Sequence, residues 1–229
     1  MTLVLPLQQM EVIMKLSNKT QNVVIVALFA SIIFILAYTP IGFIQLGFIK
    51  ATIIHIPVIV GSVLLGPKKG AFLGFLFGVT SIISNTTTPA IMSFAFSPLI
   101  PLPGTDHGSP LALIICFIPR ILVGIVPYYI CRVIRSLTKG KLSFLTYGIA
   151  GIAGAATNTL CVMNGIYLIF RDSYALARNI PTDTVYRAVL AVMLTNGVPE
   201  ALVAGIIVAS LCQALLYNRQ IRDMLERLQ

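Results

Sequence analysis

Acidic residues are scarce in this chain: seven Asp and Glu in 229 positions, against sixteen Lys and Arg, with no tryptophan and only two histidines, His55 and His107. A metal hydrolase or a triad enzyme therefore has few candidate parts, and neither His-Glu-x-x-His nor Gly-x-Ser-x-Gly occurs. The phosphate-cradling pattern Gly-x4-Gly-Lys-Ser/Thr is missing too. Gly66-Pro67-Lys68-Lys69-Gly70 is too short and wrongly ordered to replace it, so no ATPase activity is expected of the chain itself. The four cysteines, Cys116, Cys131, Cys161 and Cys212, lie in apolar stretches without paired ligand spacing and are expected to be reduced core residues, with no metal. Neither half of the chain repeats the other, which weakens the reading of a self-sufficient carrier.

What is present is apolar: 57% hydrophobic residues, 10% charged, and a mean hydropathy of +0.94. That balance places the chain in lipid, where a spanning helix needs about 20 apolar residues because every backbone N–H and C=O must be satisfied within it. Six such segments are expected, at 22–39, 51–66, 70–85, 110–136, 144–170 and 188–217. The second and third are short and joined by the Gly66-Pro67 turn, which predicts a tight helical hairpin. The expected architecture is thus an all-α integral membrane protein: an N-terminal segment 1–21, a six-helix domain 22–217 and a basic tail 218–229.

Charge predicts orientation, since cytoplasmic loops retain Lys and Arg. With both termini inside, the cytoplasmic side holds eleven cations: Lys15, Lys19, Lys68, Lys69, Arg132, Arg135, Lys139, Lys141, Arg219, Arg222 and Arg227. The other side holds Lys50, Arg171, Arg178 and Arg187. These charges flank apolar spans and build no continuous stripe, so no nucleic-acid partner is expected despite a pI near 9.7. Residues 1–13 lack a basic start and a small-residue cleavage site and do not read as a removable signal; Met14-Lys15 is a second candidate start.

Within the spans, polar side chains gather in the expected outer half: Arg120 in the fourth, Asn196 and Glu200 in the sixth, Asn164 in the fifth with Thr157, Asn158 and Thr159 deeper, His55 in the second and Asn85 in the third. Inner halves are nearly pure hydrocarbon, which describes a blind pocket rather than a pore. Arg120 is the sharpest signal, since an arginine at a helix centre costs about 2.5 to 3.5 kcal/mol. Two readings account for it equally: an ion pair with Glu200, or direct ligation of an anion. Asn196-Gly197-Val198-Pro199-Glu200 is expected to break the sixth helix, and His55-Ile56-Pro57 to act similarly at the top of the second.

Two loops, 40–50 and 86–109, mix Pro and Gly with Phe, Ile and Leu, and read either as lids or as segments packed permanently on the bundle. Small residues at helical spacing, Gly70/Gly74/Gly78 and Ala201/Gly205/Ala209, predict close helix contacts. Ala27, Ala30 and Ser31 in the first helix serve either internal packing or docking of a separate membrane subunit.

Residues 27–87, with Lys-Ala-Thr-x2-His-x-Pro-Val-Ile and Leu-Gly-Pro-Lys-x-Gly, and the later Asn-Gly-x-Pro-Glu, resemble the substrate-binding S-components of energy-coupling factor (ECF) vitamin transporters, in their pantothenate-type branch. The resemblance implies a small vitamin bound from outside, and a partner module of one membrane scaffold subunit and two ATPases that use ATP. It further implies that the loaded subunit topples in the bilayer. The family's Ala-x3-Ala motif maps onto Ala27 and Ser31, with serine as a departure, and its gate onto 40–50. For a ligand with one carboxylate, two hydroxyls and an amide, Arg120 with Asn85, Asn158, Asn164 and Asn196 is a chemically suitable set. Another vitamin, such as a pyridoxine-like compound, or an intramembrane enzyme or assembly factor, are the alternatives.

Overall fold

Apolar runs of bilayer length leave the backbone no partner but itself, and here they fold as long helices. The computed structural model describes residues 7–39, 42–46, 49–139 and 143–228. Helix α1 (Leu7–Tyr38) leads into an antiparallel hairpin of β1 (Phe43–Leu46) and β2 (Ile49–Thr52), with Phe43 opposite Thr52 and Leu46 opposite Ile49. The helices that follow are α2 (His55–Leu65), α3 (Pro67–Thr87), α4 (Ala112–Val123), α5 (Val126–Thr138), α6 (Ser143–Arg178), α7 (Val185–Val192), α8 (Val198–Tyr217) and α9 (Arg219–Leu228).

Five stretches are long and apolar enough to cross a membrane: Lys19–Tyr38, Pro67–Thr87, Ala112–Thr138, Ser143–Arg178 and Thr182–Tyr217. The expected span at 51–66 turns out differently. Its first residues belong to β2, and α2 is 11 residues long, roughly 16 Å at 1.5 Å per residue. That is about half a hydrocarbon core. Every residue of α2 is buried, so it is a core helix wrapped by protein, and its continuous apolar sequence reflects burial on all sides rather than contact with lipid. The Gly66-Pro67 turn does form the expected hairpin, with Gly66 at φ 92° and Pro67 opening α3.

Glycines set the distance between α3 and α4. A Cβ at Gly70 would strike the Gly124 carbonyl, and one at Gly74 the Arg120 carbonyl, while the Gly78 carbonyl accepts from the Cys116 thiol at 3.3 Å. The stripe read as a packing face thus presses α3 onto the backbone around Arg120. Gly151 and Gly205 do the same for α6 against α8.

Two buried clusters result. One surrounds α2 and includes Ile33, Leu73, Phe77, Val123, Ala204 and Val208; the other joins Phe94, Ile115, Val162, Ile166, Tyr174 and Val189. The loop after α3 belongs to the second cluster: its single 3₁₀ turn, Ser93–Ala95, is fully buried, and Phe94 meets Phe170 edge-on with centroids 5.9 Å apart. Residues 93–97 of that loop are packed on the bundle, while much of the remainder is exposed. Phe170, where the fifth span was expected to end, interrupts α6 with non-helical dihedrals, but the helix resumes to Arg178. In the other loop, residues 40, 41, 47 and 48 lie outside the described residues.

Candidate functional site

A cavity of about 350 Å³ lies where the two clusters meet, near the lower end of the range of about 300 to 1,000 Å³ typical of small-molecule sites. One wall is a single face of α3, Phe77, Thr80, Ser81, Ser84 and Asn85, spaced as i, i+3, i+4, i+7 and i+8. A second is the α6 face Asn158, Thr159, Val162 and Met163. The third is Asn196, Gly197 and Glu200 from the α7–α8 junction, with Val192. Arg120 enters from α4, Ala37 from α1, and Phe96 from the buried loop.

Arg120 is 6% exposed, and its surroundings explain how a guanidinium is held there. Pro119 has no N–H, so the carbonyl four residues earlier, Ile115, loses its helical donor. Arg120 replaces that donor: its Nη1 donates to the Ile115 oxygen at 2.8 Å. Nη2 reaches Ser81 Oγ at 3.5 Å, and the guanidinium carbon lies 5.5 Å from the Phe77 ring centroid and 4.9 Å from that of Phe96. Such cation–π contacts help hold a desolvated guanidinium. Arg120 Nε, however, is buried with no hydrogen-bond acceptor. On the α6 wall Asn158 Oδ1 is buried with no donor. A buried unpaired donor and a buried unpaired acceptor thus belong to two residues that line one cavity, and each costs about 1 to 3 kcal/mol when nothing meets it.

Asn85 is fixed rather than open. Its amide nitrogen donates to the Ser81 carbonyl at 2.8 Å, while its Oδ1 accepts from Ser93 Oγ at 2.7 Å, tying the buried loop to α3. The Thr86 and Ser97 hydroxyls, 2.7 Å apart, add a second tie. Those two bonds hold Phe96 over Arg120.

The expected break in the last span takes a specific form. Residues Met193–Gly197 make one π-helical turn, in which the Val198 N–H reaches the Met193 carbonyl. Pro199 withholds the N–H that would have served Thr195, and the wider turn absorbs the misfit without unwinding the helix. Asn196, Gly197 and Glu200 are brought to the cavity wall by that turn. Gly197 is needed because a Cβ there would lie 2.7 Å from Thr159 Cγ2.

Five of the expected ligand residues therefore converge: Asn85, Arg120, Asn158, Asn196 and Glu200. Two stand elsewhere. Asn164 follows Asn158 by six residues, about 240° around the helix, and donates to the Leu160 carbonyl at 2.8 Å on its own helix. His55 opens α2, 2% exposed, with Nε2 unpaired, but is not part of the cavity wall. Pro57 sits in the first turn of α2 and kinks nothing. Sequence reasoning missed Phe77, Thr80, Ser81, Ser84 and Phe96. The Thr80, Ser81, Ser84, Asn85 pattern on an otherwise apolar helix was a usable signal; the loop residue Phe96 carried none.

On the outside of the bundle, Ala27 and Ser31 are exposed on α1, and the Ser31 hydroxyl is turned back to the Ala27 carbonyl at 2.8 Å, which leaves the face small and apolar. A shallow apolar groove between α1 and α3 is lined by Ala27, Ala30, Val23, Val26 and Phe72. No group of three or more His, Cys, Asp or Glu side chains that could hold a metal occurs among the described residues.

Comparison with known proteins places this geometry. The sequence pattern of the family described as "ECF transporter, substrate-specific component" matches residues 21–212. A protein named pantothenic acid transporter PanT, of Lactococcus lactis subsp. cremoris, is 42% identical over 160 residues, spanning 67% of this chain and 78% of that one. Another, pantothenate transporter PanT of Leuconostoc mesenteroides subsp. mesenteroides, is 27% identical over 212 residues, 87% of this chain and 94% of its own length. The crystal structure of an S-component for biotin from an ECF-type ABC transporter superposes with a TM-score of 0.52 at 18% identity, covering 88% of this chain and 94% of that one, and shares the fold. A multi-pass helical bundle with a cavity between its helices, matched over most of its length by that pattern, belongs to the substrate-specific components of ECF transporters.

Proposed function

We propose that the chain is the pantothenate-binding subunit of an ECF importer, with Arg120 as the carboxylate anchor and Asn85, Asn158, Asn196 and Glu200 orienting the rest of the molecule. The observation that carries this reading is the unpaired edge of a buried guanidinium. Nη1 is committed to the Ile115 carbonyl, whereas Nε is unpaired and Nη2 has only a long contact to Ser81. Nε and Nη2 form the side-on fork that accepts a carboxylate in two parallel bonds. Asn158 Oδ1 then calls for a donor, which a hydroxyl or amide N–H of pantothenate supplies. The naming of two relatives as pantothenate transporters supports the same ligand.

In this reading the basic ends of the helices face the cytoplasm, the cavity loads from outside, and residues 1–21 and 218–229 flank the membrane domain. The exposed Ala27/Ser31 face of α1 docks a membrane scaffold subunit, whose two ATPase partners use the ATP. Small residues there permit close helix approach in lipid. The test is calorimetric titration of the detergent-purified chain with water-soluble vitamins, pantothenol included, followed by copurification from native membranes. One-to-one binding of pantothenate well above pantothenol, with a scaffold subunit and ATPases retained, is the expected result. Folded protein that binds no vitamin would overturn the assignment.

A further inference from the structure

A second cavity, about 440 Å³, lies at the opposite, basic end of the bundle, and the vitamin site makes no use of it. It is closed above by Val63 and Leu64 of the short helix α2, and flanked by Arg135 of α5, Tyr147 of α6, Gln213 of α8 and Arg222 of α9. No carboxylate lines it among the described residues; Asp223 lies 3.9 Å from Arg222 Nε and Arg219 Nε in exposed pairs. Such pairs are worth little and are readily exchanged.

The donors converge. Arg135 Nη2 donates to the Tyr147 hydroxyl, and its guanidinium carbon lies 5.5 Å over the same ring. Having accepted there, the Tyr147 oxygen keeps its own proton for a further acceptor, while Tyr147 itself is only 2% exposed and fixed in the core. Two guanidinium groups, a buried phenol and a side-chain amide around one space suit a phosphate-bearing anion.

Position selects the source of that anion. Arg135 is three residues from the end of α5, Tyr147 is four residues into α6, and Tyr217 is the last residue of α8. The cavity thus sits where helices that are long enough to span leave the hydrocarbon, at headgroup depth. Tyr217 at its rim and Phe144, next to the lining residue Ser143, expose aromatic rings, which offers acyl chains a surface near the donors. We propose that this cavity binds the headgroup of an anionic phospholipid, with Arg135 and Arg222 meeting the phosphate and Tyr147 orienting it. The bound lipid would tie α9 to the end of α5 and cover the base of α2, which the bundle alone leaves next to a polar void.

The experiment uses the full chain in detergent, with thermal unfolding and native mass spectrometry after addition of dioleoylphosphatidylglycerol, dioleoylphosphatidylcholine or inorganic phosphate. Phosphatidylglycerol is expected to raise the melting temperature and to remain bound in preference to phosphatidylcholine, with about tenfold weaker apparent affinity in Arg222→Gln and further loss when Arg135→Gln is added. Arg219→Gln, a cation of the same helix that does not line the cavity, should bind as the parent does. Should Arg135→Gln unfold through loss of its Tyr147 contact, Arg222→Gln alone carries the test. Inorganic phosphate that stabilises as well as phosphatidylglycerol, with the same dependence on Arg222, would keep the anion site but replace the lipid with a soluble phosphate. Undiminished phosphatidylglycerol binding by Arg222→Gln, or equal losses in Arg222→Gln and Arg219→Gln, would overturn the site.

Discussion

Replacing Arg120 by alanine separates its two possible duties, because they draw on different atoms. Nη1 serves the fold by satisfying the Ile115 carbonyl that Pro119 leaves open, and losing it exposes one buried acceptor at about 1 to 3 kcal/mol. The Nε/Nη2 edge carries no short hydrogen bond and is the part that the proposed function assigns to a ligand. Two charge-assisted bonds to a carboxylate in a buried site are together worth about 3 to 5 kcal/mol, so the variant should bind pantothenate about 150-fold to about 4,000-fold more weakly. Pantothenol, which carries a hydroxyl in place of the carboxylate, forfeits one ordinary hydrogen bond and should lose about tenfold or less. Arg120→Lys keeps the charge but not the fork, and is expected between the two. Calorimetry on protein shown to be folded by its elution profile and melting curve reads both ligands in one preparation. Equal losses for pantothenate and pantothenol would refute the reasoning, and assign Arg120 to the architecture of the site, with Glu200 or without it.

Three further outcomes follow from the same geometry. Pro119→Ala restores an N–H beneath the Ile115 carbonyl, displaces Nη1 from it, and so frees the guanidinium to rotate; pantothenate binding should weaken about tenfold while the melting temperature holds or rises. Asn158→Leu removes a buried acceptor that nothing meets in the unliganded chain, so the empty protein should melt at the same or a higher temperature, yet gain much less stability than the parent on adding saturating pantothenate. Gly74→Val drives a side chain into the Arg120 carbonyl; overpacking of this kind costs about 1 to 3 kcal/mol, to be read as a lowered melting temperature together with weaker binding, since α4 must shift. A Gly74→Val protein of parental affinity would mean that the α3–α4 spacing does not position Arg120.

How much of this was legible without coordinates depended on whether the signal was local. Spans, the Gly66-Pro67 turn and the glycine stripe each follow from rules about neighbouring residues, and they appear where expected. The short helix α2 misled for a physical reason: a helix buried in protein on every side is as apolar as one in lipid, and only length distinguishes them. Depth along the membrane brought Asn164 into the expected site, but depth ignores angle, and its side chain turns back to its own helix. The pairing of Pro119 with Arg120 was visible in the chain as two adjacent letters; its meaning lies in a hydrogen bond four residues back, which the sequence suggests only once the donor has been located. Phe96 came from a loop whose seating depends on the Ser93–Asn85 contact, eight residues apart across a chain reversal.

The distribution of satisfied and unsatisfied atoms says what kind of site this is. Thr80, Asn85 and Thr157 each bond a carbonyl of their own helix, at 2.9, 2.8 and 2.7 Å, so these polar groups can stay in the bundle interior without a ligand. Arg120 Nε and Asn158 Oδ1 are the cavity-lining exceptions among the unpaired buried atoms of the described residues. In the proposed function one charged donor and one neutral acceptor are the groups left to a ligand, which favours a molecule with an anion at one end and a hydroxyl or amide N–H further along. A neutral apolar compound would leave both atoms unpaired at about 1 to 3 kcal/mol each. The same two atoms make the empty subunit less stable than it would be with hydrocarbon in their place, so occupancy and stability are linked, and a ligand that meets both should show itself first as a rise in melting temperature.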